Sequence, residues 1–112
     1  MQKKVFFNYK NRKVKIDAKP CSFFSLGLIL KTRNTIPCIF EFEKPTNFKI
    51  SSLFVFFPFI AVWLDGKNKV IDIQKIEPFT ISACSKKPFT RLIEIPINKK
   101  YNKLAKSLIS RR

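Results

Sequence analysis

Apolar residues in this chain recur at every second position within short segments. In Cys38–Glu43, Phe40 and Phe42 fall on one face and two glutamates on the other, which is the pattern of a half-buried strand. Phe59–Leu64 is apolar throughout and predicts a strand that is covered on both faces. Segments of this kind dominate the middle of the chain and therefore predict a mainly β fold.

Further segments extend the predicted sheet. Val70–Ile76 alternates, so we expect Ile71 and Ile73 to point inward and the polar residues between them to point outward. Asp65–Lys69 connects this segment to the preceding one, and its Asp-Gly pair is expected to supply the positive φ of a hairpin turn. Additional strands are predicted at Val5–Tyr9, Val14–Ile16 and Leu92–Ile95.

Two short helices complete the predicted fold. Ser22–Leu30 is expected to contain a helical turn. The tail has a clearer pattern, because Asn98 is a suitable N-cap and an apolar stripe follows it at helical spacing. This tail helix either docks its stripe on the sheet with its lysines in solvent, or uses the lysine face to contact phosphates or anionic headgroups. The stripe consists of Tyr101, Leu104, Ala105, Leu108 and Ile109.

The predicted architecture is one compact, barrel-like domain over residues 1–112, with an antiparallel or mixed sheet. A mass of 13.2 kDa leaves no room for two cores, and thirteen Phe with two Gly argue against intrinsic disorder. The longest apolar run, Leu53–Leu64, is interrupted by Pro58 and is shorter than the roughly 20 residues of a membrane-spanning helix. We therefore expect no membrane span.

The three cysteines are expected to be free, buried thiols. Cys21, Cys38 and Cys84 form no Cys-x-x-Cys pair, and the chain contains no His to complete a zinc site. No secretory signal is recognisable at the start of the sequence, where the first apolar run is three residues long. These features predict a cytoplasmic location and no metal or other cofactor.

The net charge of +16 is concentrated in the two ends of the chain. Residues 1–19 carry an excess of +6 and residues 86–112 an excess of +8, whereas residues 20–85 carry +2. If both ends lie on one side of the domain, they create one strongly positive face suited to nucleic acid or another polyanion. The alternative is that lysine is simply the default surface residue of this chain.

Ten basic residues are the candidates for that face. They alternate with hydrogen-bonding amides, and Tyr9 and Tyr101 lie among them as candidates for stacking on bases. No RNP, KH or helix-turn-helix motif accompanies them. The candidates are Lys10, Arg12, Lys13, Lys15, Lys86, Lys87, Lys99, Lys100, Lys103 and Lys106.

The sequence does not favour catalysis. It contains no His, and with two Gly it has no glycine-rich phosphate loop. Glu41 and Glu43 share a strand face and form either a carboxylate dyad or two solvated groups paired with cations. Cys84 lies near two lysines and is either a reactive thiol or an ordinary exposed one.

Five segments carry a resemblance to a known family. They are Val14–Ala18 with Leu26–Ile29, Cys38–Phe42, Ser51–Asp65, Lys69–Ile73 with Glu77–Phe79, and Glu94–Asn98. Their order and spacing resemble the domain of unknown function 192 family, also called uncharacterised protein family 0127, over residues 14–98. The resemblance implies a compact, mainly β, barrel-like domain with small helices and no established activity.

Four positions depart from the family pattern. Leu26 stands where the family has Arg, Ser51 replaces a His or an aromatic residue, Ile60 replaces Asp, and Asn98 replaces Gly. Only the last change is mild, because Asn tolerates the left-handed conformation. Polar groups of a family site are thus missing while the apolar scaffold is kept, and the activity of that site is expected to be lost here.

Three functions remain open at this stage. The favoured one is a non-catalytic binding or accessory module whose basic surface contacts nucleic acid or another polyanion. The second is a small-molecule-binding or enzymatic barrel with a pocket near Ser51, Ser52 and Trp63. The third is peripheral membrane association through the basic C-terminal helix.

Overall fold

The computed structural model describes residues 2–21, 35–52 and 55–110. Within these ranges the chain forms six strands and one helix, each at a segment for which the sequence predicts it. The elements are β1 (Lys3–Tyr9), β2 (Arg12–Cys21), β3 (Cys38–Thr46), β4 (Phe59–Leu64), β5 (Val70–Ile76), β6 (Phe89–Pro96) and α1 (Asn102–Ser110). The predicted helical turn at Ser22–Leu30 lies outside the described residues.

The strands form one mixed sheet in the order β1-β2-β3-β6-β4-β5. β2 and β3 are parallel, and every other neighbouring pair is antiparallel. The sheet curls into a half-barrel, so that β1 returns towards β5: the Asn8 N–H donates to the Asn68 carbonyl at 2.8 Å, and Asn8 bridges to Lys69. The mainly β, barrel-like fold class predicted from the sequence is confirmed.

Every residue of β4 is buried, and its alternating side chains belong to two different cores. Ile60, Val62 and Leu64 pack in a core that also includes side chains from β1, β2 and α1, which we call the helix-side core. Ala61 and Trp63 pack in a second core with the segment that precedes β4, which we call the loop-side core. The prediction that this strand is covered on both faces is confirmed.

A β-bulge in β5 changes the face to which one predicted core residue points. Trp63 pairs with Asp72 and Leu64 with Val70, which leaves Ile71 as an extra residue in the ladder. Ile73 therefore packs in the helix-side core, whereas Ile71 packs against the loop-side core. The expectation that both point to the same face is wrong, because one inserted residue reverses the alternation of a strand.

The β4–β5 turn is confirmed as a hairpin, but its left-handed residue is not the glycine. Asn68 has a φ of 63°, while the φ of Gly66 lies outside the positive range. The Asp65 carboxylate accepts hydrogen bonds from the N–H groups of Lys67 at 2.8 Å and Lys69 at 3.0 Å. This Asx-type capping holds the turn, and the positive φ falls on Asn, the residue that tolerates it next best after Gly.

The C-terminal helix docks on the body as the first of the two interpretations predicts. The Tyr101 N–H donates to Asn98 Oδ1 at 3.0 Å, which confirms Asn98 as the cap. Tyr101, Ala105 and Leu108 are buried in the helix-side core, and the rest of the apolar stripe packs against it. At nine residues, α1 is too short to span a bilayer, and the described residues hold no longer apolar helix.

We predict that Asn98→Ala lowers the free energy of unfolding by about 1 to 2 kcal/mol, because the Tyr101 N–H loses its acceptor. The Asn98 amide also donates to the Thr35 carbonyl at 3.3 Å, which adds to the loss. Chemical denaturation measures the change, with Asn47→Ala at an exposed position as the control. Equal stability of the two variants contradicts the assigned cap.

Candidate polyanion-binding surface

Four of the predicted basic residues, Lys10, Arg12, Lys13 and Lys15, lie at the β1–β2 hairpin, and Lys86 from the other end of the chain lines a groove beside it. Within the described residues, β2 pairs with β3 only over Lys19–Cys21, so its first half has β1 as its strand neighbour on one side alone. On the other side it faces α1 across a groove of about 260 Å³, which we call the helix groove. The groove is lined by Tyr9, Arg12, Lys13, Val14, Lys15, Leu104, Ser107 and Leu108.

The helix groove carries three cations and no acidic side chain along its lining. Arg12, Lys13 and Lys15 all come from β2 and are exposed. Lys103 is exposed on α1, one turn before the groove residue Ser107, but it is not part of the groove lining. The Lys13 and Lys15 ammonium groups lie beside the Phe6 ring on the face of the hairpin that points away from the core, so the start of β2 carries positive charge on both of its faces.

A second groove, of about 450 Å³, lies between the tip of the β1–β2 hairpin and β5. Lys10 and Lys86 both line it, so residues from the two ends of the chain lie at one site. Asp72 lines it too, and its carboxylate accepts hydrogen bonds from the Lys86 N–H at 3.2 Å and from the Gln74 amide at 3.1 Å. Because this carboxylate offsets part of the positive charge, the helix groove is the stronger anion site of the two.

The face of the hairpin that points away from the core is polar except for one aromatic ring. Phe6 lies opposite Lys15 and Asn8 lies opposite Lys13 in the β1–β2 register. The Lys13 ammonium is 4.7 Å and the Lys15 ammonium 6.0 Å from the centre of the Phe6 ring. We call this surface the outer hairpin face, and it consists of Lys4, Phe6, Asn8, Lys13, Lys15 and Asp17, all of them exposed, with Asp17 directly opposite Lys4.

Like charges on the outer hairpin face are close enough to perturb one another. The neighbouring Lys4 ammonium lowers the pKa of Lys15, while the Asp17 carboxylate acts in the opposite sense. A cation whose charge is disfavoured by its neighbour gains more from an added anion than an isolated lysine does. The outer hairpin face therefore has an excess of positive charge, with Lys4, Lys13 and Lys15 against the carboxylate of Asp17.

The remaining predicted basic residues lie elsewhere. Lys99 and Lys100 are exposed in the turn before α1, and Lys87 is exposed in the segment before β6. Lys106 lies on the opposite flank of α1, where it shares a groove with Lys75 of β5. None of these four lines either groove at the β1–β2 hairpin.

The two tyrosines that the sequence suggests for stacking on bases are less accessible than expected. Tyr101 is 7% exposed and belongs to the helix-side core, so its ring is not available to stack on a base. Tyr9 is half-buried and lines both hairpin grooves, with the Lys10 ammonium 5.6 Å from the centre of its ring. The exposed aromatic ring among the cations is that of Phe6, which the sequence reasoning missed.

Lys69 is a second residue that the sequence reasoning missed. It lies in the β4–β5 turn and shares a concave surface with Asn8, Lys10 and Asn11, because the two hairpin turns lie side by side. The separation in sequence hides this proximity. No short-range pattern signals it.

The three predicted pocket residues, Ser51, Ser52 and Trp63, are buried or half-buried. Trp63 is fully buried in the loop-side core, where its ring meets that of Phe89 edge to face at 6.3 Å between centres. The Trp63 Nε1–H has no hydrogen-bond partner within the described part of the chain. Ser52 is fully buried, and Ser51 is half-buried.

The Ser52 hydroxyl holds a strained loop. It donates to the Glu77 carbonyl at 2.6 Å and accepts from the Thr80 N–H at 2.8 Å. The Ser52 carbonyl accepts from the Phe79 N–H at 2.9 Å, and Phe79 has a φ of 64°. A bulky residue in the left-handed region costs about 1 to 3 kcal/mol, so these bonds fix a conformation that the loop would otherwise leave.

Of the two glutamates that the sequence suggests as a dyad, Glu41 is paired with two cations. Glu41 accepts hydrogen bonds from Lys3 and from Arg91, the latter at 3.3 Å, and the pKa of Glu41 is lowered by the bond from Lys3 and then by Arg91. A carboxyl group held in its ionised form does not serve as a general acid. Glu43 is exposed, and the described residues contain no cluster of three potential metal ligands.

All three cysteines are free thiols, as predicted, but their burial differs. Cys38 is buried, and its hydrogen bond with Cys21 and its burial raise its pKa well above the usual range. Cys21 is half-buried and Cys84 is exposed. The expectation of burial is therefore wrong for Cys84, because its segment runs over the surface between β5 and β6.

Two solved structures have the same fold. One is a protein of unknown function from Novosphingobium aromaticivorans DSM 12444, with a TM-score of 0.76 and 14% identity over 93% of this chain and 79% of the other. The second is a candidate transcription regulator from Sinorhizobium meliloti 1021, with a TM-score of 0.75 and 11% identity over 93% of this chain and 85% of the other. No family model and no curated protein matches the sequence. At these identities the likeness shows the fold.

We predict that Ser52→Ala lowers the free energy of unfolding by about 1 to 3 kcal/mol, since the Thr80 N–H loses its acceptor in a part-buried site. Denaturant titration measures this loss. Ser82→Ala, at an exposed position in the same segment, is the matched control and is expected to change stability by less than about 0.5 kcal/mol. A neutral Ser52→Ala would contradict the role of this hydroxyl in holding the loop.

The lowered pKa of Glu41 predicts a pH-dependent contribution to stability. A carboxyl group whose pKa is lower in the folded than in the unfolded state stabilises the fold above its ordinary value of 4.5, and this contribution is lost as the pH falls through the folded-state pKa. Because both partners are partly exposed, Glu41→Gln is expected to cost less than about 1 kcal/mol at neutral pH.

The measurement compares the free energy of unfolding of Glu41→Gln with that of the unmodified protein from pH 7 down to pH 3. The difference between the two is expected to shrink below about pH 4.5. Glu43→Gln is the control on the same strand. A difference that stays constant over the whole range refutes the pairing of Glu41 with Lys3 and Arg91.

Proposed function

We propose that this protein is a non-catalytic binding module that engages nucleic acid or another polyanion through the helix groove and the adjoining outer hairpin face. The observation that carries the proposal is the run of exposed cations Arg12, Lys13 and Lys15 at the start of β2, beside a groove whose lining contains no acidic side chain. Cations arranged in this way bind phosphates by releasing counterions, without needing a sequence motif.

The rest of the molecule supports binding rather than chemistry. The lowered pKa of Glu41 is opposite to what a general acid requires, and the Ser52 hydroxyl is used within the fold. The residues that line the grooves at the hairpin include Lys10, Arg12 and Gln74, whose side chains are of the types that position a protein on a phosphate backbone, and one acidic residue, Asp72. The candidate transcription regulator with the same fold agrees with this choice of partner.

Association with a membrane through the tail helix has less support. Tyr101, Ala105 and Leu108 are already buried in the helix-side core, so the apolar stripe would have to leave the body before it could enter a bilayer. The lysines of α1 are exposed, and they offer a polar surface that an anion can approach without any rearrangement.

The proposal includes membership of the domain of unknown function 192 family. Its support is the agreement between the motif segments and the strands. Val14–Ala18 lies in β2, Cys38–Phe42 in β3 and Phe59–Leu64 in β4, in the order in which the family pattern has them. The fourth and fifth segments contribute residues to β5 and β6 in the same order.

We predict that the protein retains RNA and DNA in filter-binding titrations at about 50 mM salt and releases them as salt is raised. The double variant Lys13→Gln/Lys15→Gln is expected to lower the slope of log affinity against log salt by about 0.7 for each lysine on a single strand. This double variant lowers the net charge by two, so its effect on the slope has to be compared with that of another double variant that removes two lysines elsewhere.

The matched control is Lys44→Gln/Lys49→Gln, which removes two exposed lysines that line neither hairpin groove. It is expected to change the salt slope by less than the hairpin double variant does. Equal effects of the two double variants would attribute binding to net charge. No retention of nucleic acid at low salt refutes the proposed function outright.

A further inference from the structure

The Phe6 ring is exposed on the face of β1 that points away from the core, so burial in the core does not stabilise it. Its exposed fraction is 40%, whereas its neighbours Val5 and Phe7 are 7% and 0% exposed. The β1–β2 register places Lys15 directly opposite Phe6, and Lys13 lies two pairs further along, on the same face. The ring is therefore presented to solvent between two cations.

The other exposed phenylalanines have different surroundings. Phe48 contacts the ring of Phe42 at 6.2 Å between centres, and Phe56 and Phe79 contact each other at 5.7 Å. Among the exposed aromatic residues that the structure describes, Phe6 is the one whose ring contacts are ammonium groups. An aromatic face beside cations is the combination with which proteins hold unpaired bases and the phosphates that connect them.

We infer that the outer hairpin face binds single-stranded nucleic acid, with an unpaired base stacked on Phe6 and the adjoining phosphates on Lys13 and Lys15. This inference rests on the proposed function and specifies its ligand. Lys13 and Lys15 are two residues apart on one strand, about 7 Å along its axis, which is close to the separation of successive phosphates in an extended strand.

When a base stacks on Phe6, the ammonium groups of Lys13 and Lys15 gain phosphates as partners. In the free protein the Lys13 ammonium lies 4.7 Å from the centre of the Phe6 ring. A base that stacks on this ring displaces the ammonium towards a phosphate of the same nucleic-acid strand. The repulsion between Lys4 and Lys15 is relieved by the same phosphates. A duplex offers the phosphates but keeps its bases stacked and paired, so it cannot use the ring.

The test measures fluorescence anisotropy of a labelled oligothymidylate and of an abasic oligomer of the same length, which carries the phosphates without the bases. The unmodified protein is expected to bind the oligothymidylate about fivefold to a hundredfold more tightly than the abasic oligomer. Phe6→Ala is expected to reduce the oligothymidylate affinity to the abasic level and to leave the abasic affinity unchanged.

Two further variants keep the result interpretable. Phe6→Leu retains an apolar side chain on the strand and removes the aromatic face, so it is expected to lose most of the preference for bases even if Phe6→Ala is less stable. Phe48→Ala, at a residue that is exposed to the same extent elsewhere, is expected to leave both affinities unchanged.

The outcomes separate this inference from the proposed function. If the unmodified protein binds the two oligomers with equal affinity, the inference is overturned. If that binding still weakens as salt is raised, the proposed function stands. Tighter binding of a duplex than of the single strand, or a preference for bases that persists in Phe6→Leu, also overturns the inference. Absence of binding to either oligomer at low salt overturns both.

Discussion

The complete burial of β4 is the constraint on which the rest of the molecule depends. Its six residues place side chains alternately into two cores, and it pairs with β5 on one side and β6 on the other. Because burial of apolar surface stabilises a fold by roughly 25 cal/mol per Å², every side chain of this strand contributes to stability. β1 and β2 lie far from β4 in the sheet. Each has one face covered by the core, and the other face carries charged side chains.

The sequence predicts the strands well because period-two alternation and turn residues are local signals. Val70–Ile76 and Phe59–Leu64 have the predicted bounds. The bulge at Ile71 was not predictable, since nothing in the alternation of β5 marks the extra residue until its partner strand is known. Likewise, Asp-Gly signals the β4–β5 turn, but hydrogen bonds to Asp65 move the left-handed conformation to Asn68.

The candidate site is less predictable because it is made by contacts between distant segments. Charge counts indicate that the ends of the chain are basic, but the proximity of Lys10 to Lys86 depends on how the half-barrel curls. Phe6 and Phe7 are adjacent and chemically identical, and only the register of β1 decides which of them is buried. Tyr101 stands among lysines in sequence, yet it is the first residue of the stripe that docks α1.

The incomplete pairing of β2 has a consequence for how copies of this protein meet. Its first half leaves main-chain groups open on the side away from β1, within the described residues, and such an edge invites strand addition between molecules. Arg12, Lys13 and Lys15 place like charges along that edge, so two edges repel each other. A polyanion bound there, as proposed, would remove the repulsion and would couple ligand occupancy to lateral self-association.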